Sequence, residues 1–454
     1  MNGKELLLKA IKNELTPRPA WLPFVGVHGA KIIGKTATEY LKSTDLLVQG
    51  LKKAKELYKP DGLPIVFDLQ LEAEILGCEL KWSDDTPPSV KTHPLELGKS
   101  LADLPVFSVE EGRFPAVLEA LRILKKDIGD DTALYGLICG PFTLALHLLG
   151  NGIFMQMFDH PDYVNAVISY CSNVGKKAAK AYLDAGADVV AVVDPMVSQI
   201  RPKHFSEFVS APLNDLFEFI RTNGGCSSLF VCGDATRNLE KMAQTKCDNI
   251  SIDENIPLEN VRDYTRSNNK SFGGNLKLTA VLLLGDEDDS KLDAIRCIDI
   301  GGGAGFILAP GCDLPYATPE ANIQAVALMA HDAYQREIAK RAIIVKSADD
   351  TSVELPNYAK EPNVIIDVVT LDSSSCAPCQ YMVDAVQRLT PQLKKPIVVR
   401  EHRITTRTGI AMMKRLNVSN IPSICIDGVL TFSSLIPDQK TLIEAIEKAQ
   451  SKKK

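Results

Sequence analysis

"SSLFVCGDATRNLEKM", residues 227–242, reads as a short apolar strand that ends on a cysteine, followed by a Gly-Asp turn and the start of a helix. A run of this length rich in Leu, Phe and Val and bounded by turn residues is the pattern of a buried strand. The same unit recurs along the chain. Strands are expected at 21–27, 63–69, 132–139, 187–194, 227–232, 248–253, 270–276 and 305–310, with apolar residues at helical spacing between them. Eight alternating units predict an α/β fold, a (β/α)8 TIM barrel with its longest insertion at 70–131. An open doubly wound sheet would more often show a Gly-rich first turn. Barrels carry their chemistry at the C-terminal ends of their strands. Cys232 closes the fifth strand and Cys312 follows the eighth, while Asp68, Asp194 and Asn275 stand at the ends of the second, fourth and seventh.

Composition sets the frame. The 454 residues are 45% hydrophobic and 24% charged, enough for a full core and for more than one domain. A net charge of −6 argues against nucleic-acid binding through a general basic field. No apolar run approaches the roughly 20 residues of a membrane span, and "MNGKELLLKAIKNEL" reads as an amphipathic helix. A cytoplasmic protein with no membrane or nucleic-acid partner is expected. Eleven cysteines scattered over such a length predict reduced thiols, most of them small buried hydrophobes.

The pattern changes after the helix expected at 318–342. Residues 344–361 are polar with two prolines nearby and read as a linker between a barrel at 1–343 and a second domain at 362–454. There, strand, helix, strand, helix, hairpin and helix are expected in turn. This unit resembles the thioredoxin superfamily over residues 362–450. The resemblance rests on Cys376-Ala377-Pro378-Cys379 at a strand-to-helix turn and on Pro422 of "NIPS" at the place of the family's cis-proline. It implies that Cys376 attacks a disulfide and Cys379 resolves the intermediate. A thiol at a helix N-terminus is favoured as thiolate by the unpaired N–H groups. Ser375 stands where the family usually has Trp. A zinc knuckle is the other reading of C-x-x-C, and no second pair lies nearby.

The barrel resembles the uroporphyrinogen decarboxylase superfamily and, within it, the cobalamin-dependent methyltransferases that move a methyl group from a corrinoid to a thiol. The stretches that carry the resemblance are "LEAEILGCELKW" (71–82), "GLICGPFTLALHLLG" (136–150), "GADVVAVVDPMVSQIRPKHFSEFVSAPL" (186–213), "FVCGDATRNLEKM" (230–242) and "GGAGFILAPGCDLPYATPEANIQAV" (302–326). The decarboxylases open with a segment whose arginines hold substrate carboxylates. Here "WLPFVGVHGAK" (21–31) has neither arginine, and Cys312 stands where they tend to have His.

The methyltransferase resemblance implies zinc held by a His-x-Cys pair and a distant Cys, binding the acceptor thiol. Cys232 and Cys312 match the cysteines, but Phe230 stands in place of the histidine. Glu254, ahead of its neighbour Asp253, is the expected third ligand, with His28 as another source of imidazole. Asp194 and His147 are expected in catalysis, against the plainer readings of a helix cap and a packed core residue. Asp68 and Asn275 are expected to orient substrate. No Asp-x-His-x-x-Gly stretch is present, so the corrinoid is expected from a partner protein or as free cofactor, with a small-molecule thiol as acceptor. The fused C-x-x-C unit then reads as a reductant or carrier for a thiol acceptor, or as protection of Cys232 and Cys312 from oxidation. Two other readings stay open: a lyase acting on a carboxylated compound, and a silent barrel beside an active disulfide reductase.

Overall fold

Residues 226–231 form the fifth strand of a parallel sheet, every residue from Ser227 onward is buried, and Gly233 turns the chain with φ +85° just after Cys232. A computed structural model describes residues 1–96, 99–342, 353–374 and 376–453. The chain separates into two compact units, residues 1–343 and 344–454. Residues 344–352 of the expected connection, and Ser375, lie outside the described residues.

The first unit is a nearly closed eight-stranded parallel barrel ringed by helices. Its strands are β1 (Ala20–Trp21), β2 (Gly62–Pro64), β3 (Ala133–Cys139), β4 (Val189–Val193), β5 (Cys226–Val231), β6 (Asn249–Ile252), β7 (Ser271–Leu276) and β8 (Phe306–Pro310). They pair in the order β1-β8-β7-β6-β5-β4-β3-β2. The first two are shorter than their apolar runs suggest. Pro23 cannot donate to a ladder, and Val25 and Gly26 turn back onto the carbonyls of Pro23 and Phe24. The β1–β2 seam is closed locally instead. The Asp61 N–H donates to the Trp21 carbonyl at 2.9 Å, and the buried Asp61 carboxylate accepts from the Trp21 N–H at 2.8 Å and from both terminal nitrogens of Arg18 at 2.6 and 2.7 Å.

Side chains alternate across each strand, so every second residue points inward. Ala133, Tyr135 and Leu137 of β3, Val189, Ala191 and Val193 of β4, and Ile307 and Ala309 of β8 fill the interior with Phe24, Phe67 and Phe230. Helix α1 (Gly3–Ile11), with an Asn2/Glu5 capping box, adds Leu6, Leu7, Ala10 and Ile11 to the same cluster. On the β5–β7 side the interior is polar but satisfied: Ser228 donates to Asn249 Oδ1 at 2.9 Å, and Asn249 Nδ2 donates to Ser271 Oγ at 3.0 Å. The helix expected across 318–342 is two helices, Glu320–His331 and Ala333–Ala342. Asp332 between them is extended, and its carboxylate accepts from the Gln335 N–H at 2.9 Å.

The second unit is a four-stranded sheet of β9 (Val364–Thr370), β10 (Ile397–Arg403), β11 (Ser423–Ile426) and β12 (Val429–Ser433), in the order β10-β9-β11-β12. β9 and β10 are parallel, whereas β11 runs antiparallel to β9 and to β12. Helices Ala377–Leu389 and Gln439–Gln450 bury Met382, Val386, Leu442 and Ile446 against β9 and β11. The Ile421–Pro422 peptide is cis.

Candidate active site at the barrel mouth

Cys232 directly follows β5 and Cys312 lies two residues beyond β8, strands that are not neighbours, yet their Sγ atoms lie 2.7 Å apart. Barrel closure brings these ends together, since 80 residues of chain separate them. Both thiols are part-buried and pack on the interior cluster. The contact with Cys232 lowers the Cys312 thiol pKa, but burial and the nearby Asp253 and Asp313 carboxylates outweigh it and hold the thiol above its usual range.

Phe230, two residues before Cys232, is fully buried. Its ring stacks on Phe24 with centroids 4.7 Å apart and meets Phe67 edge-on at 5.7 Å, while Phe24 and Phe67 are 5.8 Å apart. These three rings belong to the interior cluster against which the thiols pack. An imidazole here would lose the stacking and offer its nitrogens to apolar surroundings.

The third-ligand expectation does not match this geometry. Glu254 is part-buried, and its carboxylate accepts from the Leu278 N–H. Burial, and then Asp253, push its pKa up to about 8. Asp253 accepts from the N–H groups of Gly233 and Asn255, at 2.8 and 2.9 Å. His28 has both ring nitrogens engaged, with the Tyr58 hydroxyl at 2.7 Å and the Tyr316 carbonyl at 3.1 Å, and burial lowers its pKa to about 4. Among the described residues, no three His, Cys, Asp or Glu side chains form a group able to hold a metal ion. The donor set present does not fit a zinc site.

Other expected residues have structural partners. Both oxygens of Asp194 cap the helix that follows β3, Pro141–Leu149, accepting from the Thr143 N–H and hydroxyl at 2.8 and 2.6 Å and the Phe142 N–H at 3.2 Å. Burial still raises its pKa to about 6. His147, on the same helix, is buried and neutral, with its pKa lowered to about 3 and Nδ1 without a hydrogen-bond partner. Asn275 clamps a loop, donating to the carbonyls of Asp253 and Ile256 at 3.1 and 2.7 Å. Asp68 accepts from Arg113 at 2.5 Å.

Two groups escape a reading of the sequence. Arg113, from the β2–β3 insertion, bridges Asp68 and Glu74 and lies over the Trp82 ring, yet its buried Nη2 has no hydrogen-bond partner. Glu72 accepts from the Cys139 N–H at 3.2 Å through one oxygen, while the other is buried without a partner. Burial raises the Glu72 pKa to about 8. Neither residue ends a strand, so the signal that marks barrel-mouth residues does not reach them.

In the second unit Cys376 stands at the N-cap position of the helix Ala377–Leu389 and is part-buried. Cys379 is buried, with the Leu371 N–H directed at its sulfur at 3.3 Å.

Residues 2–333 match the uroporphyrinogen decarboxylase (URO-D) family. The chain belongs to that family. The match ends before the second unit. The chain is 30% identical over 267 residues to the methylcobamide:CoM methyltransferase MtbA of Methanosarcina acetivorans, covering 58% of this chain and 77% of that protein. It is 29% identical over 284 residues to the MtaA enzyme of the same description from Methanosarcina barkeri, covering 61% and 82%. A solved methyltransferase from Methanosarcina mazei shares the barrel with a TM-score of 0.68 at 25% identity, over 73% of this chain and 98% of that one. The uroporphyrinogen decarboxylase of Trichodesmium erythraeum is 23% identical over 334 residues. This family member is therefore an enzyme, of the methyltransferase kind.

Proposed function

We propose that the barrel transfers a methyl group between a methylcorrinoid and a small-molecule thiol, with the corrinoid supplied by a partner protein or as free cofactor. The kinship with methylcobamide:CoM methyltransferases carries this reading. The absence of arginine from 21–31 favours it over decarboxylation, because a polycarboxylate would lack its bidentate partners there. A methylcorrinoid, when bound, would supply the methyl group for a new carbon–sulfur bond and would keep the electron pair of the bond it gives up. The thiol proton must leave. Glu72 has a buried unpartnered oxygen and a pKa of about 8, so its ionised fraction, which grows as pH rises toward 8, is the form suited to accept it. Arg113 Nη2 is suited to orient an anionic end of the acceptor. Asp194, His147 and Asn275 act by positioning the helix after β3 and the loops around the mouth.

Zinc activation of the acceptor is not part of this reading, because Cys232 and Cys312 lack a third ligand among the described residues. The second unit acts as a thiol–disulfide domain in which Cys376 attacks and Cys379 resolves, with Pro422 beside them in the family pattern. It supplies reductant for the thiol acceptor or keeps barrel thiols reduced.

The test is methyl transfer from methylcobalamin to coenzyme M, followed by the cobalamin spectrum. Turnover is expected in the wild type, with a fall of about 100-fold in Glu72→Gln. No transfer to coenzyme M or other small thiols, together with decarboxylation of a carboxylated tetrapyrrole, would place the barrel with the lyases. Cys376→Ser/Cys379→Ser in the full chain separates the second unit's part: turnover unchanged under oxidising conditions would remove it from the scheme.

A further inference from the structure

We propose that Cys232 and Cys312 form a second redox-active dithiol, which exchanges electrons with low-molecular-weight disulfides at the barrel mouth. Three observations carry the inference. The two sulfurs are already in contact at 2.7 Å and need to approach by well under 1 Å to reach the ~2.05 Å of a disulfide. Both are part-buried, as is Cys226 at the opposite end of β5, whereas Cys78, Cys139, Cys171, Cys247 and Cys297 of the same unit are buried. The position that would commit them to a metal is filled by Phe230, which Phe24 and Phe67 hold within the apolar interior.

The chemistry balances with one named co-reactant. One barrel thiol, as thiolate, attacks a disulfide R–S–S–R; a protein–S–S–R bond forms and RS⁻ leaves. The second thiolate attacks the protein sulfur of that intermediate, forming the Cys232–Cys312 bond and expelling the second RS⁻. The two protons given up by the cysteines finish on the two RSH products, and the barrel has lost the two electrons that the small disulfide gained. The reverse steps, driven by a small thiol or a dithiol, restore the pair. A small disulfide is the fitting substrate class because it needs access only to the mouth. The inference does not rest on methyl transfer, and its test reads none.

The test uses the full chain carrying Cys376→Ser/Cys379→Ser, so that the C-x-x-C pair cannot report and only buried Cys425 remains in the second unit. The protein is equilibrated anaerobically in buffers of bis(2-hydroxyethyl) disulfide and 2-mercaptoethanol at graded ratios, quenched in acid, alkylated and mapped by mass spectrometry. A single link between the Cys232 and Cys312 peptides is expected, its fraction following the buffer ratio. In Cys232→Ser a mixed disulfide on Cys312 should accumulate instead, and in Cys312→Ser one on Cys232. Circular dichroism checks that the variants fold. Full alkylation of both thiols at every ratio overturns the proposal. So does one equivalent of zinc per chain, bound on incubation with zinc alone, blocking the link and lost in both single variants.

Discussion

The molecule carries two cysteine pairs, placed by opposite means. In the second unit Cys376 and Cys379 are three residues apart at the start of one helix, and local backbone geometry sets their spacing. In the barrel Cys232 and Cys312 are 80 residues apart, on strands separated by two others, and the closed ring sets their spacing. A local pair survives as long as its helix does. A distant pair reports on the whole fold around it.

The largest effect that tests this contrast is the stability gained on oxidation. In the chain-entropy view, closing the 80-residue separation adds about 4.5 kcal/mol, against about 2 for the short loop at Cys376 and Cys379. Denaturant midpoints of the oxidised and reduced chain, each with the other pair replaced by Ser, measure the difference; equal shifts would break the comparison. Next is Asp61→Ala, which opens the β1–β2 seam and strands Arg18. A loss of about 3 kcal/mol is expected, toward the low end for a broken buried pair because Arg18 is a quarter exposed. Closure of the Cys232–Cys312 pair should weaken with it, while alkylation of Cys376 continues at the wild-type rate.

A pH series sharpens the contrast further. The Glu72, Glu254 and Asp194 carboxyls hold their protons more tightly folded than unfolded, with pKa values of about 8, 8 and 6. Their stabilising effect is present in full below the unfolded values near 4 and is lost as pH rises through the folded ones. Barrel stability should therefore fall between roughly pH 4 and 8 from this source. Glu72→Gln should recover on the order of 1–3 kcal/mol at pH 8 relative to pH 5, read by chemical denaturation. The smallest effect is Thr143→Val, which removes one hydroxyl donor from Asp194 and should cost about 1 kcal/mol.

The strand pattern made the barrel legible because each buried strand is a continuous apolar run, and β3 and β4 match their readings within two residues at either end. Cys232 and Cys312 were legible as strand-end residues. Their contact was not, since nothing local in either segment encodes a partner 80 residues away. Glu254 and Asn275 read as site residues from the same strand-end signal, yet the structure ties both to backbone groups of adjoining loops. A short polar side chain at a strand end has two uses, gripping a loop or facing a ligand, and sequence alone does not separate them. Arg113 shows the converse: it arrives from the 70–131 insertion, whose path over the mouth no periodicity reveals.

The pairing of β1 with β8 also carries a consequence for how the chain is made. Ala20 and Trp21 find their ladder partners in Ile307 and Leu308, so the first strand to emerge during synthesis must wait for the last. At roughly 5–20 residues per second, that wait is on the order of 15–60 s. Throughout it, Trp21, Leu22 and Phe24, all buried once the ring closes, stay exposed on a nascent chain. Anything that slows translation before residue 310 lengthens the time for which this segment is without its ladder partners.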